Sequence, residues 1–219
     1  LGRAFSILEK YSEPTFQLIQ EKEQVIDRYE DKLGTYLVKI TQRELTHDQT
    51  KEISKFLHTI SDFERIADHA VNLSEAAREI AQKRVVFSPN AQKELSVITA
   101  AVKEIVSIST KAFIEKDQIL ALRVEPLEEL IDGLCDEMKL HHVQRIQSGD
   151  CTLSQGFVFN DLLTNLERIA DHCSNIAVAM IELEMDSFDT HEYLNSLRKT
   201  HDRSFEDYFR EYRQKYSID

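Results

Sequence analysis

The chain has 219 residues, 42% hydrophobic and 30% charged, with only five glycines and three prolines. That length allows one sizeable core or two small ones, and turn residues this scarce exclude the many short loops of a β-sandwich, a barrel or a doubly wound sheet. Thirty-nine acidic against 27 basic residues leave a net charge of −12, which repels nucleic-acid phosphates and turns attention to metal cations or basic protein surfaces as partners.

Even the most apolar stretch, Leu95 to Ile108, is interrupted by Lys103 and Glu104, so no segment of this sequence is expected to insert into a membrane. Cys135, Cys151 and Cys173 share no C-x-x-C spacing, which suits neither a disulfide framework nor a zinc site and favours a reducing, cytoplasmic setting. The first residue is Leu and no signal-peptide pattern is present, so the expectation is a piece of a longer polypeptide.

In chain order, a short helical tail at 1–10 is followed by predicted helices at 14–43, 47–83, 89–116, 118–147, 153–186 and 190–215, with Pro126 bending or restarting the fourth. Thr46 with Gln49, Thr152 with Gln155 and Asp189 with Glu192 have capping-box spacing, and Ser88-Pro89 marks another helix start. Along 47–83, Ile53, Phe56, Leu57, Ile60, Phe63, Ala67, Ala70 and Val71 fall on one stripe, so the helix has one face to bury. The last helix carries Tyr193, Leu194, Leu197, Phe205, Tyr208, Phe209 and Tyr212, an aromatic face expected to pack on the first half of the chain.

The sequence repeats itself. Glu64-Arg65-Ile66-Ala67-Asp68-His69 recurs letter for letter at 167–172, and Glu23, Asp27 and Asp31 correspond to Glu128, Asp132 and Asp136. In each half a helix carrying one acidic motif is followed by a capped turn and a helix carrying a second. Helix 89–116 leads into the second half, and its first-half equivalent would end at Leu1–Lys10, with most of that helix upstream.

Four segments at equivalent positions of the two halves have the form Glu-x-x-x-Asp: Glu23/Asp27, Glu64/Asp68, Glu128/Asp132 and Glu167/Asp171. Residues four apart on a helix are neighbours, and two carboxylates there repel by roughly 0.2–0.5 kcal/mol. A single such motif reads as a solvated helix face. Four at equivalent positions, all bordering apolar stripes, read as a site for a multivalent cation, with Asp31 and Asp136 as extensions. Oxygen-only ligation suits magnesium, calcium, manganese or iron, and zinc also stays among the ions considered. Asn72 and Asn175, one turn further on, either join that shell or bond a neighbouring helix. His69 and His172 lie opposite the apolar stripe and read as surface or capping residues, as do the adjacent His141 and His142; Cys135 and Cys173 are expected to pack.

No catalytic apparatus is legible. There is no Gly-rich phosphate loop, nucleophile elbow or H-E-x-x-H, and a di-iron bundle would need two Glu-x-x-His pairs where Glu44–His47 is the single one. The chain is therefore not expected to be an enzyme.

The duplicated "ERIADH" segments at 64–69 and 167–172, with the acidic pairs around them, resemble the PhoU family of phosphate-transport regulators. The resemblance covers about residues 1–186. It implies an all-α fold of two tandem three-helix bundles with an extra C-terminal helix, divided as 1–87, 88–188 and 189–219. It implies a metal-cluster role for Glu23, Asp27, Glu64, Asp68, Glu128, Asp132, Glu167 and Asp171. The wording "DKLGTYLVKI" at 31–40, "HTISDFERIADHAVNL" at 58–73 and "HEYL" at 191 is similar to the cytoplasmic domain of bacterial sodium/phosphate cotransporters. That subtype implies a membrane-embedded transporter part in the same chain, on whose cytoplasmic side this domain regulates uptake. Apart from the resemblance, a homodimer is kept as a further expected partnership, with the aromatic face of the last helix as the surface to consider. A free-standing PhoU-type negative regulator and a metal-free acidic helical scaffold are the alternatives.

Overall fold

The computed structural model describes residues 1–187 and 204–218, with side chains described to residue 183 in the helix that ends at 187. Its elements are α1 (Gly2–Glu9), α2 (Glu13–Ile40), α3 (His47–Lys83), α4 (Pro89–Glu115), α5 (Gln118–Ala121), α6 (Val124–Ser148) and α7 (Leu153–Ser187). A helical segment at 204–215, here α8, follows, and no strand occurs among the described residues. The sequence-predicted helix at 190–215 is thus observed only in its last part; its Asp189 cap, Tyr193, Leu194 and Leu197 lie outside the described residues.

Local chemistry fixes the helix ends. Thr46 and Gln49 close a reciprocal capping box at the start of α3, Thr152 and Gln155 exchange the same bonds at α7, and Ser88 Oγ accepts from Ala91 N ahead of Pro89. Among the described residues, three helices end on left-handed residues: Arg84 after α3, Lys116 after α4 and Gly149 after α6. Only Gly149 adopts that conformation without a steric penalty. The predicted fourth helix is divided at Leu122–Arg123. Asp117 Oδ1 caps the one-turn α5, and Pro126 sits in the first turn of α6, where its missing N–H costs nothing.

The two longest helices, α3 and α7, pack along each other as the spine of the molecule. On one side α1 and α2 complete a bundle with α3, and on the other α4, α5 and α6 complete a bundle with α7. The α7 face toward the core is aliphatic and closed, with Leu163, Leu166, Ile169, Ala170 and Ile176 fully buried; α3 contributes Leu73 among Ala70, Ala76 and Ala77. Each large aliphatic side chain so buried contributes about 1.5–3 kcal/mol. Cys135 and Cys173 are buried in this core as unpaired thiols.

Helix α8 departs from expectation: it docks on the second bundle, not the first. Tyr212 and Tyr216 enter the core, Arg123 Nε donates to Tyr212 Oη at 3.3 Å, and the guanidinium lies over the Tyr208 ring at 5.0 Å. Lys215 Nζ reaches Glu104 of α4 at 2.8 Å, and Tyr216 also bonds that carboxylate. The aromatic row at 208, 212 and 216 follows the helical i, i+4, i+8 spacing, and the cation and carboxylate that complement it lie on the second bundle.

Candidate metal centre

In the second bundle, α6 presents Glu128, Asp132 and Asp136 on successive turns and α7 presents Glu167 and Asp171. Glu128, Asp132 and Asp171 each bring one carboxylate oxygen within 4.8 Å of the other two. Two oxygens bound to one hard cation at about 2.4 Å can be no further apart than that, so the three fit a shared ion. Burial first, and then the charges of Asp132 and Asp171, push the Glu128 carboxyl up to about 7. Asp132 is raised by burial and by Asp171, Glu167 and Asp136, against the opposing charge of Lys139.

The other predicted ligands of this half already have cations of the chain's own. Lys139 Nζ is 2.7 Å from Glu167 and 3.4 Å from Asp136, and Asp136 is 84% exposed. Arg168 Nη1 lies 3.1 Å from Asp171 Oδ2, so the third carboxylate of the group is itself partly neutralised. Glu128 and Asp132 carry the net excess of negative charge.

In the first bundle, Glu23 is raised by burial, by Asp68 and by Asp27, which places the α2 and α3 motifs side by side. Glu64 is pushed up to about 6 by burial, by Asp68 and by Glu30, with Arg65 opposing. Arg65 lies 3.8 Å from Glu64 and 3.5 Å from Asp68 and so partly neutralises this pair. Among the described residues, only the second bundle gathers three carboxylate oxygens within reach of one ion. Asp31 is exposed; the residue of its turn that faces α3 is Glu30, which accepts a hydrogen bond from Ser61 Oγ at 3.1 Å.

Asn72 and Asn175 bond the neighbouring long helix. Asn72 Nδ2 donates to Asn165 Oδ1 at 3.0 Å, and Asn175 Nδ2 donates to Asp62 Oδ1 at 3.2 Å. The same two acceptors hold His69 Nδ1 and His172 Nδ1, both at 2.9 Å. The surface reading of these histidines is therefore corrected: they lie in the α3–α7 seam. Asp62 and Asn165 are repeat equivalents, so the seam has an approximate twofold relation. The signal was present in the sequence, because Asp62, His69 and Asn72 recur as Asn165, His172 and Asn175 on a second, polar stripe. His142 is also buried, stacked on Phe159 at 5.1 Å, and His141 bonds Glu94; both depart from the surface reading.

The same fold recurs in known proteins. A family model described as "PhoU domain" matches residues 1–77 and 95–180. A phosphate-specific transport system accessory protein, PhoU homolog 1 of Thermotoga maritima, is 26% identical over 185 residues, 84% of this chain and 79% of the relative. A homolog of the same description from Clostridium acetobutylicum is 24% identical over 179 residues, 80% of each. The crystal structure of PhoU from Pseudomonas aeruginosa superposes with a TM-score of 0.77 at 24% identity, covering 84% of this chain and 88% of that one. That of the regulatory protein PhoU from Streptococcus pneumoniae gives 0.71 at 16% identity, covering 84% and 85%. No helix among the described residues is long and apolar enough to cross a membrane.

Proposed function

Because the chain belongs to the PhoU domain family, we propose that it is a PhoU-type accessory regulator that restrains phosphate uptake and the associated signalling from the cytoplasmic side of the plasma membrane. The relatives' names, all of phosphate-transport accessory proteins, favour a regulator acting on a separate transporter over a domain of a sodium/phosphate cotransporter. Both arrangements would use the same helical surface and the same carboxylates, and neither requires catalysis by this chain.

The single observation behind a metal-dependent mechanism is the convergence of Glu128, Asp132 and Asp171, with Glu128 half-buried beside two like charges. These three would hold a multivalent cation, which supplies charge neutralisation between α6 and α7. Glu128 and Asp132 come from α6 and Asp171 from α7, so the relief of repulsion depends on the spacing of the two helices. Any difference in affinity between two spacings then biases the equilibrium between them. The relative placement of α6 and α7 is thereby made sensitive to the ion.

The test is phosphate uptake, and expression of phosphate-starvation genes, in cells lacking this gene and carrying the wild type, Asp132→Asn or Asp171→Asn. Uptake that stays high in phosphate-rich medium without the gene, and is restored to a low level by the wild type alone, supports the reading. Equal restoration by all three proteins leaves the acidic-scaffold alternative in its place, and no effect of the deletion removes the regulatory role.

A further inference from the structure

The acidic motifs of the second bundle occupy one end of a longer surface. On α6, Glu128, Asp132, Asp136, Lys139 and Val143 follow one another at three- and four-residue steps, and on α7 so do Asp171, Glu167, Thr164, Asn160, Phe157 and Leu153, so each set is one stripe along its helix. The two stripes face each other across the α6–α7 seam: Asp171 meets Glu128 and Asp132, and Lys139 Nζ lies 2.7 Å from Glu167. The helices run antiparallel, with Cys135 at Leu163 and His142 at Gly156, which sets Val143 level with the turn between Leu153 and Phe157. The ends of this face differ in chemistry. Around the acidic motifs, five carboxylates stand against Lys139 and Arg168 and leave an excess of negative charge. At the far end Val143, Leu153 and Phe157 are 49%, 67% and 76% exposed, and Phe157 is the most exposed large apolar side chain among the described residues. Folding does not require them there: counting from the repeated hexapeptide, the positions of Leu153 and Phe157 are held in α3 by Thr50 and Ser54, both exposed.

We infer that the outer face of the α6–α7 seam docks an amphipathic helix of a protein partner, with basic side chains on its N-terminal half and an aliphatic stripe on its C-terminal half. The span from Asp171 to Leu153 is about 27 Å at 1.5 Å per residue, which accommodates about five helical turns. A third helix laid between two packed ones buries a single stripe of its own, at i, i+3, i+4 and i+7. Lysine or arginine over Glu128 and Asp132 answers the excess charge there, and the positive end of the helix dipole favours the same orientation. Leucine or isoleucine at the other end removes Phe157 and Leu153 from water. A second copy offering this face brings like charge onto like charge, in a chain of net charge −12, and the same carboxylates repel an anionic bilayer. The inference uses the carboxylates as charges, so it depends neither on a bound ion nor on phosphate as the regulated solute.

The probes are two fluorescently labelled helical peptides of about 18 residues and identical composition. One carries lysines in its N-terminal half and a leucine stripe in its C-terminal half; the other has the halves exchanged. Binding to the 219-residue chain, with EDTA present, is read by fluorescence anisotropy. The first peptide is expected to bind at least tenfold more tightly than the second, and more weakly as salt is raised. Leu153→Thr combined with Phe157→Ser, which installs the residues of the other half, should weaken that binding at least tenfold and leave the melting temperature unchanged, since both side chains are largely exposed. Equal affinity for the two peptides, or wild-type affinity in the double variant, overturns the inference. So does concentration-dependent self-association that the double variant abolishes, because the surface then receives a second copy, and so does binding to phosphatidylglycerol vesicles that is lost in the same variant.

Discussion

His69 stacks on His172 across the α3–α7 seam, with ring centroids 5.7 Å apart and 28° between the planes. Each ring is held by the helix opposite its own, His69 by Asn165 and His172 by Asp62, so the two halves of the repeat clasp each other at equivalent residues. One position breaks the symmetry: an aspartate stands at 62 where an asparagine stands at 165.

That asymmetry carries a prediction. Asn165 is buried, and its Nδ2 donates to the Asp161 carbonyl at 2.8 Å. Asn165→Asp removes that donor and adds a charge beside the Asp161 carboxyl, which burial and the Glu79 and Glu75 carboxylates already raise. The expected loss is about 1–3 kcal/mol in urea unfolding. Asp62→Asn keeps a carbonyl acceptor for His172 and Asn175 and should cost less than half as much. Equal losses would show that the seam does not distinguish its two acceptors.

A second prediction concerns pH in metal-free protein. The folded-state pKa of Glu128 is raised from 4.5 to about 7, so between those values the folded state binds more protons than the unfolded chain. Stability then falls as pH rises through that window and the deficit is complete above it. Glu128→Gln should remove this component and stabilise the metal-free protein at pH 8 by about 1 kcal/mol, allowing for solvent screening of a half-exposed carboxylate. Near pH 4.5 the variant and the wild type should coincide. Melting curves at pH 4.5, 6 and 8 measure both ends, and a variant without gain at pH 8 would show that Glu128 is not strained by its neighbours.

With manganese or magnesium the sign reverses. An ion held only by the folded state adds about 2.7 kcal/mol at a hundredfold excess over its Kd. Asp132→Asn and Asp171→Asn should each abolish most of the associated rise in melting temperature, whereas Asp136→Asn, at a carboxylate paired with Lys139 and largely exposed, should retain it. A rise preserved in all three variants would place the ion elsewhere.

Helix positions and the duplication were legible in the sequence because they rest on local signals: Thr46 with Gln49, Ser88 with Pro89 and the repeated hexapeptide. The meeting of Glu128 and Asp132 with Asp171 was legible too, since each motif borders an apolar stripe. The unequal use of equivalent motifs was not. Lys139, which engages Glu167 and Asp136, has Gly34 as its repeat equivalent, and its role depends on the distance between two helices. His142 was misread because adjacency to His141 says nothing about which of the two turns inward. The docking of α8 depends on Arg123 and Glu104, residues far from it in sequence whose positions only packing brings together.

The ion pair of Glu94 and Arg145 yields a fourth prediction. Their side chains are 6% and 12% exposed; Arg145 meets both carboxylate oxygens at 2.9 and 2.8 Å and lies over the Phe159 ring at 5.1 Å. Removing Glu94 strands the buried Arg145 charge, at a cost of about 3–5 kcal/mol, and removing Arg145 leaves Glu94 with His141 as its remaining partner, whereas replacing both by apolar groups of similar size costs much less. Glu94→Leu and Arg145→Met should each be strongly destabilising and their combination much less so than the sum. A double-mutant cycle by denaturant unfolding reads the coupling, and additive losses would show that the two charges act independently.

The last prediction concerns Gly156, near the start of α7. A Cβ built there would meet His142 Nε2 at 2.5 Å and Ile146 Cδ1 at 3.3 Å. His142 cannot easily yield, since its ring is stacked on Phe159 at 5.1 Å and is buried between α6 and α7. Glycine in a helix ordinarily costs stability relative to alanine, so Gly156→Ala would be a stabilising change anywhere along α7 that had room. Here the contact is far inside van der Waals distance, and overpacking of this kind costs about 1–3 kcal/mol, more than the helix-propensity gain. The variant should therefore melt lower than the wild type. Adding His142→Ala creates the space the new methyl needs and should recover part of the loss, so that the double variant is more stable than the sum of the two single changes implies. If Gly156→Ala instead raises the melting temperature, α6 and α7 are further apart at this level than the His142–Phe159 stack requires.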